Sequence, residues 1–204
     1  MNSVNAELHT FRSPKFRSVV EEAIKFFEDT PVHQLPPPSR FTGCGVYALY
    51  YLGEYELYAR IARLNQNARV LPIYVGKAVP PGWRAARTTS TERKSLYGRL
   101  REHTRSIQQA KNLEIGDFRC RFVILQEVGT DLIVPIEATL IRKHRPLWNS
   151  VVDGFGNHDP GRGRYNQAQS EWDVLHPGRS WADRLRGKPP SLEEVVEKIR
   201  ASLD

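Results

Sequence analysis

Apolar residues recur at helical spacing near both ends of the chain, and each run carries helix-terminus signals. In the N-terminal run, the apolar positions are Phe16, Val19, Val20, Ala23 and Phe27. Ser13-Pro14 supplies an N-cap and a first helical residue, and Thr30-Pro31 ends the run. Ser191 and Glu194 form a capping box near the other end. The apolar positions that follow are Leu192, Val195, Val196, Ile199 and Leu203. The pattern predicts a helix at each end of the chain.

Three segments between these helices have the composition or the alternation of β-strands. Residues 45–52 are rich in β-forming side chains, and residues 70–76 form a second such run. Pro72 in the second run favours an edge strand or a strand start. Residues 118–124 alternate, with apolar Phe118, Cys120, Phe122 and Ile124 between Arg119, Arg121 and Val123. We therefore expect three strands.

Helical patterns separate and follow these strands. Residues 54–64 form a short candidate helix, and a Thr89–Glu92 capping box predicts another helix up to about Ala110. Pro135 suits the first turn of a further helix, which Pro146 stops. The positions expected to face the core are Leu57, Ile61 and Leu64, then Leu96, Leu100 and Ile107, then Ile136, Leu140 and Ile141.

The element order is strand, strand, helix, strand, helix, with a helix added at each end. This order predicts an α+β fold in which a small mixed or antiparallel sheet is flanked by helices. We expect an N-terminal helix and Pro-rich connector over 1–40 and a core over 41–152. Residues 153–204 should form a Gly/Arg-rich loop region and a closing helix, the whole being one compact unit.

Positive charge is concentrated in one part of the chain. The net charge is +7, and residues 77–111 alone carry it, because nine cations there face only Glu92 and Glu102. The nine are Lys77, Arg84, Arg87, Arg93, Lys94, Arg99, Arg101, Arg105 and Lys111. A focused positive field favours a polyanion such as nucleic acid, although a solvated helix face gives the same pattern.

Other features of the composition exclude several classes of protein. No apolar run approaches the roughly 20 residues of a membrane span, and Met1 to His9 lack the layout of a signal peptide. We expect no membrane partner and a cytoplasmic location. Cys44 and Cys120 have neither metal-ligand spacing nor a disulfide-scaffold pattern, so they should be reduced and partly buried.

Polar residues occupy several positions where a plain fold would not require them. Arg99 and His103 share one face of the third helical segment, Glu137 falls in the predicted first turn of the 135–145 helix, and Asn149 follows Pro146. Each has a structural alternative: Arg99 as a surface cation, Glu137 as a favourable charge at a helix N-terminus, and Asn149 as a turn residue.

Taken with the first two strands, these residues resemble the GIY-YIG nuclease family. Gly45-Val46-Tyr47 and Tyr74-Val75-Gly76 match the two tripeptides that name the family. Its pattern continues with an arginine on the next helix, a glutamate opening a later helix and an asparagine shortly after a proline. Here these are Arg99, Glu137 and Asn149, in the family order.

Two departures from the pattern point to a narrower group. Tyr47 and Tyr74 are 27 residues apart, which is longer than the usual hairpin, and His103 lies one turn after Arg99. With the segment 149–164, these features resemble the GIY-YIG type II restriction endonucleases of the NgoMIII group, which cut the palindrome CCGCGG. The resemblance implies a sequence-specific endonuclease of double-stranded DNA.

The resemblance also implies a role for each matched residue. Tyr47 would act as general base, with His103 as an alternative acceptor of its proton, and Tyr74 would contact water or the scissile phosphate. Arg99 would hold the phosphate oxygens. Glu137 would be the single protein ligand of one Mg²⁺, with Mn²⁺ able to substitute. The sixth candidate is Asn149, which would orient the Glu137 region by hydrogen bonding.

Base reading and phosphate binding need further residues, and arginine is the commonest reader of guanine. The DNA-binding candidates are Lys77, Lys94, Arg101, Arg105, His158, Arg162, Arg164 and Arg179. A palindromic site implies two-fold symmetry, so we expect a homodimer. The N-terminal helix is a candidate interface, or else it packs on its own core.

Two other functions remain open at the level of sequence. One is a structure-specific GIY-YIG nuclease in DNA repair or recombination, and the other is a non-catalytic DNA-binding module. Two rival nuclease signatures are weak. Glu92-Arg93-Lys94 lacks a preceding Pro-Asp, and His158, Asn166 and His176 lack the strands of an H-N-H metal site.

Overall fold

A four-stranded sheet organises the fold. The computed structural model describes residues 4–80 and 96–203. The strands are β1 (His33–Gln34), β2 (Cys44–Tyr51), β3 (Tyr74–Ala78) and β4 (Phe118–Leu125). Their order across the sheet is β1-β4-β2-β3, and every pair is antiparallel. The α+β expectation is confirmed, with an antiparallel sheet, and β3 lies at one edge.

Strand β2 is buried along its whole length because helices cover both faces of the sheet. Its alternate residues enter two separate apolar clusters: Tyr47, Leu49 and Tyr51 face one, and Val46, Ala48 and Tyr50 face the other. An uninterrupted apolar run is what a strand covered on both faces requires.

Seven α-helices lie within the described residues. They are α1 (Pro14–Asp29), α2 (Ala59–Ala68), α3 (Leu96–Gln109), α4 (Ile133–His144), α5 (Leu147–Ser150), α6 (Glu171–Leu175) and α7 (Leu192–Leu203). The Tyr47 face packs against α2, α3, α5, α6 and α7, and the Val46 face packs against α1 and α4. None of the helices in the described ranges is both long enough and apolar enough to cross a membrane.

The N-terminal helix follows its sequence signals. Ser13 accepts a hydrogen bond from the Phe16 backbone, and Thr30 caps the C-terminal end. Val20, Ile24 and Phe27 are buried against the sheet and α4, so the helix packs on its own core. Phe16 and Val19, which belong to the same apolar run, are exposed at 53% and 44%.

Strand β3, the second of the three strands expected from the sequence, begins later than its composition suggests. It starts at Tyr74 rather than at residue 70 because the side chain of Asn65 hydrogen-bonds to the backbone of Leu71. The Leu71 N–H donates to Asn65 Oδ1 at 2.9 Å, and Asn65 Nδ2 donates to the Leu71 carbonyl at 2.8 Å. Pro72 has no N–H to offer a ladder. The expected edge position is confirmed.

Several helix boundaries also differ from the expectations. A 3-10 turn over Glu56–Tyr58 precedes α2, which begins at Ala59, and Leu64 is exposed while Asn65 is buried. Because α4 begins at Ile133, two residues before Pro135, Glu137 lies beyond the first turn. The Ser191 side chain does cap α7, although Leu192 is exposed. The Thr89–Glu92 capping box lies outside the described residues.

Candidate active site

A cleft of about 430 Å³ opens at the edge of the sheet formed by β3. Its polar lining comes from both sides of that edge: Tyr47, Tyr74 and Arg99 from one side, and Lys77 and Glu137 from the other. The structure thus brings together, in one place, four of the six candidate catalytic residues and Lys77.

The glycines of the two tripeptides allow the strands to pack this closely. A Cβ at Gly45 would lie 1.9 Å from the Val123 carbonyl oxygen of β4, too close for any side chain. Gly76 is paired with Tyr47 across the ladder, and a Cβ there would lie 2.5 Å from the Tyr47 hydroxyl. Gly76 therefore makes the space in which the Tyr47 ring reaches the cleft.

Tyr47 and His103 form a buried pair at the base of the cleft. The Tyr47 hydroxyl lies 2.6 Å from His103 Nε2, and both residues are almost completely buried. Burial, together with neighbouring Tyr74, raises the pKa of Tyr47 well above its usual value, although Arg99 opposes this shift. Burial and Arg99 lower the pKa of His103. The pair therefore rests as a protonated phenol beside a neutral imidazole, and Tyr47 donates the bond when His103 carries its hydrogen on Nδ1.

Arg99 extends from α3 to the mouth of the cleft. Its Nη1 lies 2.5 Å from Glu102 Oε2 and 2.7 Å from His158 Nε2. These contacts hold one end of the guanidinium, and its charge acts on both Tyr47 and Tyr74. The sequence interpretation missed Glu102, although its spacing of three residues from Arg99 on a helix was a usable signal.

Glu137 faces Lys77 across the cleft. Lys77 Nζ donates to Glu137 Oε2, and the carboxylate side chain is only 14% exposed. Lys77, expected to bind DNA, therefore lies inside the cleft as the counter-ion of Glu137. Within residues 4–80 and 96–203, no three His, Cys, Asp or Glu side chains form a metal-binding group. Glu137 is the carboxylate among the residues described in the cleft lining, so it could hold a divalent ion there.

Asn149 holds β3 rather than the Glu137 region. Its Oδ1 accepts from the Val75 backbone N–H at 2.7 Å, and its Nδ2 donates to the Val75 carbonyl at 2.8 Å. These two bonds replace a neighbouring strand at the open edge of the sheet. Asn149 thus fixes the backbone between Tyr74 and Gly76, which makes it a positioning residue for the cleft.

Five of the remaining DNA-binding candidates, Arg101, Arg105, His158, Arg162 and Arg164, are exposed. Arg101 and Arg105 are exposed on the face of α3 opposite His103. Arg162 and Arg164 are exposed on a short 3-10 turn, and Arg164 shares a groove of about 340 Å³ with His158. Through His158 this groove adjoins Arg99. Lys94 lies outside the described residues.

Arg179 requires a correction, because its guanidinium is buried inside the C-terminal region. Its Nε donates to Asp173 Oδ1 at 2.6 Å, its other nitrogens donate to the carbonyls of Gly154, Phe155 and Asn157, and it stacks on Trp172. With its exposure at 1%, Arg179 cannot reach a DNA groove. It instead fixes the loop that carries Phe155, and Phe155 stacks on His103.

We predict that Arg179→Met lowers the free energy of unfolding by about 3–5 kcal/mol, because it leaves the Asp173 carboxylate buried without its partner. Urea denaturation monitored by circular dichroism measures the change. Arg162→Met, an exposed change in the same region, should cost less than about 0.5 kcal/mol. A loss below about 1 kcal/mol for Arg179→Met would contradict this assignment.

A second buried tyrosine–histidine pair lies deeper in the same core. The Tyr58 hydroxyl is 2.6 Å from His176 Nε2, and His176 Nδ1 is 2.9 Å from Asn112 Oδ1. His176 is fully buried, whereas His158 lies at the rim of the cleft, so these two do not form an H-N-H metal site.

We predict that the protein loses stability as the pH falls from 7 to 5. Burial lowers the folded-state pKa of His103 and lowers that of His176 to about 3. The unfolded chain therefore binds protons first below about pH 6.5, and the free energy of unfolding falls with pH. Urea titrations at several pH values test this, and His176→Asn should flatten the slope. Equal stability at pH 7 and pH 5 would contradict it.

Comparison with known families agrees with the geometry of the cleft. The family model described as the Eco29kI GIY-YIG domain matches residues 39–203. No curated protein matches the chain. The family match covers β2, β3, α3, α4 and Asn149, the elements that build the cleft. The chain therefore belongs to the Eco29kI family of GIY-YIG restriction endonuclease domains, and it is a nuclease.

Proposed function

We propose that the protein is a type II restriction endonuclease that hydrolyses both strands of duplex DNA at a specific palindrome, CCGCGG. The observation that carries the proposal is the convergence of Tyr47, Arg99 and Glu137 on one cleft, with His103 against the tyrosine hydroxyl. Phosphodiester hydrolysis needs an activated water, neutralised phosphate charge and help for the leaving oxygen. Restriction would place the protein in the cytoplasm as part of a restriction–modification system.

The Tyr47–His103 pair supplies the proton acceptor. A phenol with a raised pKa is a poor base by itself, so Tyr47 accepts a proton from water only as it passes its own to His103 Nε2. The low pKa of His103 keeps the imidazole neutral at neutral pH, so Nε2 can accept the proton in the tautomer that carries hydrogen on Nδ1. Tyr47 is then the group that contacts the water, and His103 is the final acceptor.

Arg99 supplies the positive charge for the phosphate. Its planar guanidinium suits two oxygens of the same phosphate, and Glu102 and His158 hold Nη1 while Tyr47 and Tyr74 lie beside it. Tyr74 lines the same cleft, so its hydroxyl is placed to contact the phosphate or the attacking water.

Glu137 is the proposed ligand for one Mg²⁺, with Mn²⁺ as a substitute. A single, mostly buried carboxylate at an open cleft fits a hard cation that keeps most of its waters. Bound there, the ion would supply Lewis-acid stabilisation of the phosphate and of the leaving oxygen. Lys77 neutralises Glu137 and would have to release it to the ion.

Sequence reading is assigned to the groove that adjoins Arg99. Arg164 and His158 line it and Arg162 is exposed beside it, so the two arginines are proposed to reach base edges near the scissile phosphate. A CCGCGG site offers guanines on both strands, which suit bidentate arginine contacts. Arg101 and Arg105 are proposed to contact backbone phosphates farther from the cleft. The palindrome calls for a homodimer with one cleft for each strand.

Plasmid digestion tests this function. The full chain is incubated with Mg²⁺ and plasmids that either contain one CCGCGG site or lack it, with EDTA as a control. We expect a single linear product from the first plasmid alone. Discrete fragments from the second plasmid would overturn the palindrome but not the restriction activity. Cleavage of branched DNA alone would indicate a repair nuclease, and binding without cleavage would indicate a non-catalytic module.

A further inference from the structure

A second cavity lies on the face of the sheet opposite Tyr47. It has a volume of about 370 Å³, and α1, β2, β4, α4 and the segment after α2 supply its walls. Ala48 and Tyr50 of β2 form part of its floor, whereas Tyr47 points to the other face. The sheet therefore separates this cavity from Tyr47, although Glu137 of the nuclease cleft lies on the same helix, α4, that lines it; the two lining sets share no residue.

The charged lining of this cavity is predominantly basic. Among the described residues that line it, Arg69, Arg121 and Lys143 are cations, and Glu28 is the carboxylate. Glu28 is already paired with Lys143. Burial and the neighbouring Lys143 lower the pKa of His144, so that side chain adds no charge near neutral pH. The lining thus carries a net charge of +2 in a partly enclosed space.

Two donors in this lining have no acceptor. The Nε atoms of Arg69 and Arg121 are buried without a hydrogen-bond partner, even though Arg69 Nη1 donates to the Gln66 carbonyl at 3.0 Å. A buried donor left without an acceptor costs about 1–3 kcal/mol, so native structures rarely retain one without a reason. Both arginines that line the cavity therefore keep an unused donor.

The position of Arg69 is fixed by its backbone. Arg69 ends α2 in the left-handed conformation, with φ at +47°. Only a few per cent of residues other than glycine adopt a positive φ. Arg121 lies on β4 beside Tyr50 of β2, and its guanidinium carbon is 5.8 Å from the Tyr50 ring centroid. The two arginines therefore approach the cavity from different elements of the fold.

We propose that this cavity is a binding site for a small organic phosphate, with the phosphate group held by Arg69, Arg121 and Lys143. A phosphate monoester carries nearly two negative charges at neutral pH and matches the net charge of the lining, whereas a DNA phosphodiester carries one. The volume lies in the lower range of small-ligand sites. Phe27, Val70 and Leu140 provide an apolar wall for the uncharged part of the ligand.

NMR of arginine side chains tests the site in the full chain. With ¹⁵N-arginine labelling, Arg69→Lys and Arg121→Lys assign the two Nε–H signals. Inorganic phosphate and glycerol 3-phosphate are then titrated. We expect both signals to shift and saturate, with a Kd below about 1 mM for glycerol 3-phosphate. Arg121→Gln should weaken binding by about tenfold or more, and the exposed Arg63→Gln should not.

The source of the phosphate is distinguished by a second titration. Glu137→Gln protein is mixed with a CCGCGG duplex, and the same two signals are followed. If the duplex moves them and glycerol 3-phosphate does not, the phosphate belongs to DNA and the small-ligand assignment is overturned. Signals that neither phosphate compound nor duplex moves would overturn the anion site altogether. Neither result depends on DNA cleavage, so the nuclease proposal is tested separately.

Discussion

Glu137→Gln is expected to reduce DNA cleavage by about 10³-fold while duplex binding changes little. The substitution keeps the size of the side chain but removes the carboxylate charge that we propose binds Mg²⁺. A bound metal contributes several kcal/mol of charge stabilisation in the transition state, and each 1.4 kcal/mol is a factor of ten in rate. Single-turnover cleavage measures the first effect, and fluorescence anisotropy with a labelled duplex in Ca²⁺ measures the second.

The matched control is Glu171→Gln. Glu171 pairs with Lys198 at 2.9 Å, as Glu137 pairs with Lys77, but it lies outside the cleft. This variant should cleave at the wild-type rate. If Glu137→Gln retains cleavage, the metal assignment is wrong. If its circular dichroism spectrum shows that it fails to fold, Glu137 has a structural role instead.

Tyr47→Phe is expected to reduce cleavage by about 10²–10⁴-fold, the usual contribution of a positioned proton acceptor. It should also lower the free energy of unfolding by about 1–3 kcal/mol, because His103 Nε2 loses its buried partner. Cleavage rates and urea denaturation separate the two effects. Wild-type cleavage by this variant would remove Tyr47 from the mechanism.

Tyr51→Phe provides the control for Tyr47. Tyr51 lies on the same face of β2, and its hydroxyl accepts from the Tyr55 backbone at 2.8 Å. Its loss should cost a similar amount of stability without slowing cleavage at saturating DNA.

The pH profile of cleavage tests the role of His103. Because the pKa of His103 is lowered, its imidazole stays neutral from pH 8 to 6.5, and the cleavage rate of the wild-type protein should hold a plateau over this range. His103→Asn should remove this plateau.

The sequence predicted the elements whose signals are local. Ser13 and Pro14 determine the start of α1, and the alternation from Phe118 determines β4. The start of β3 was wrong because the side chain of Asn65, six residues earlier, hydrogen-bonds to the backbone of Leu71. Apolar pattern and β-propensity do not report a side-chain amide that binds the backbone, so they could not predict this boundary.

The candidate site shows the same division. Tyr47, Arg99 and Glu137 were found because a family pattern preserves their order, and the structure brings them together. Arg179 was misassigned because a Gly-rich stretch with arginines is equally typical of a DNA-contacting loop and of a loop tied around a buried guanidinium. Asp173, its partner, lies six residues away, a spacing that no local rule flags.

The stacking of Phe155 on His103 bears on how this nuclease can be reused in fusion proteins. The ring centroids are 4.6 Å apart, and the loop that carries Phe155 is held by Arg179. A transplantable cutting module that stopped at residue 152 would lack this ring and the anchor behind it. Any chimera that joins the cleft to a foreign DNA-targeting domain should therefore keep the chain through at least Arg179 and place its junction beyond it.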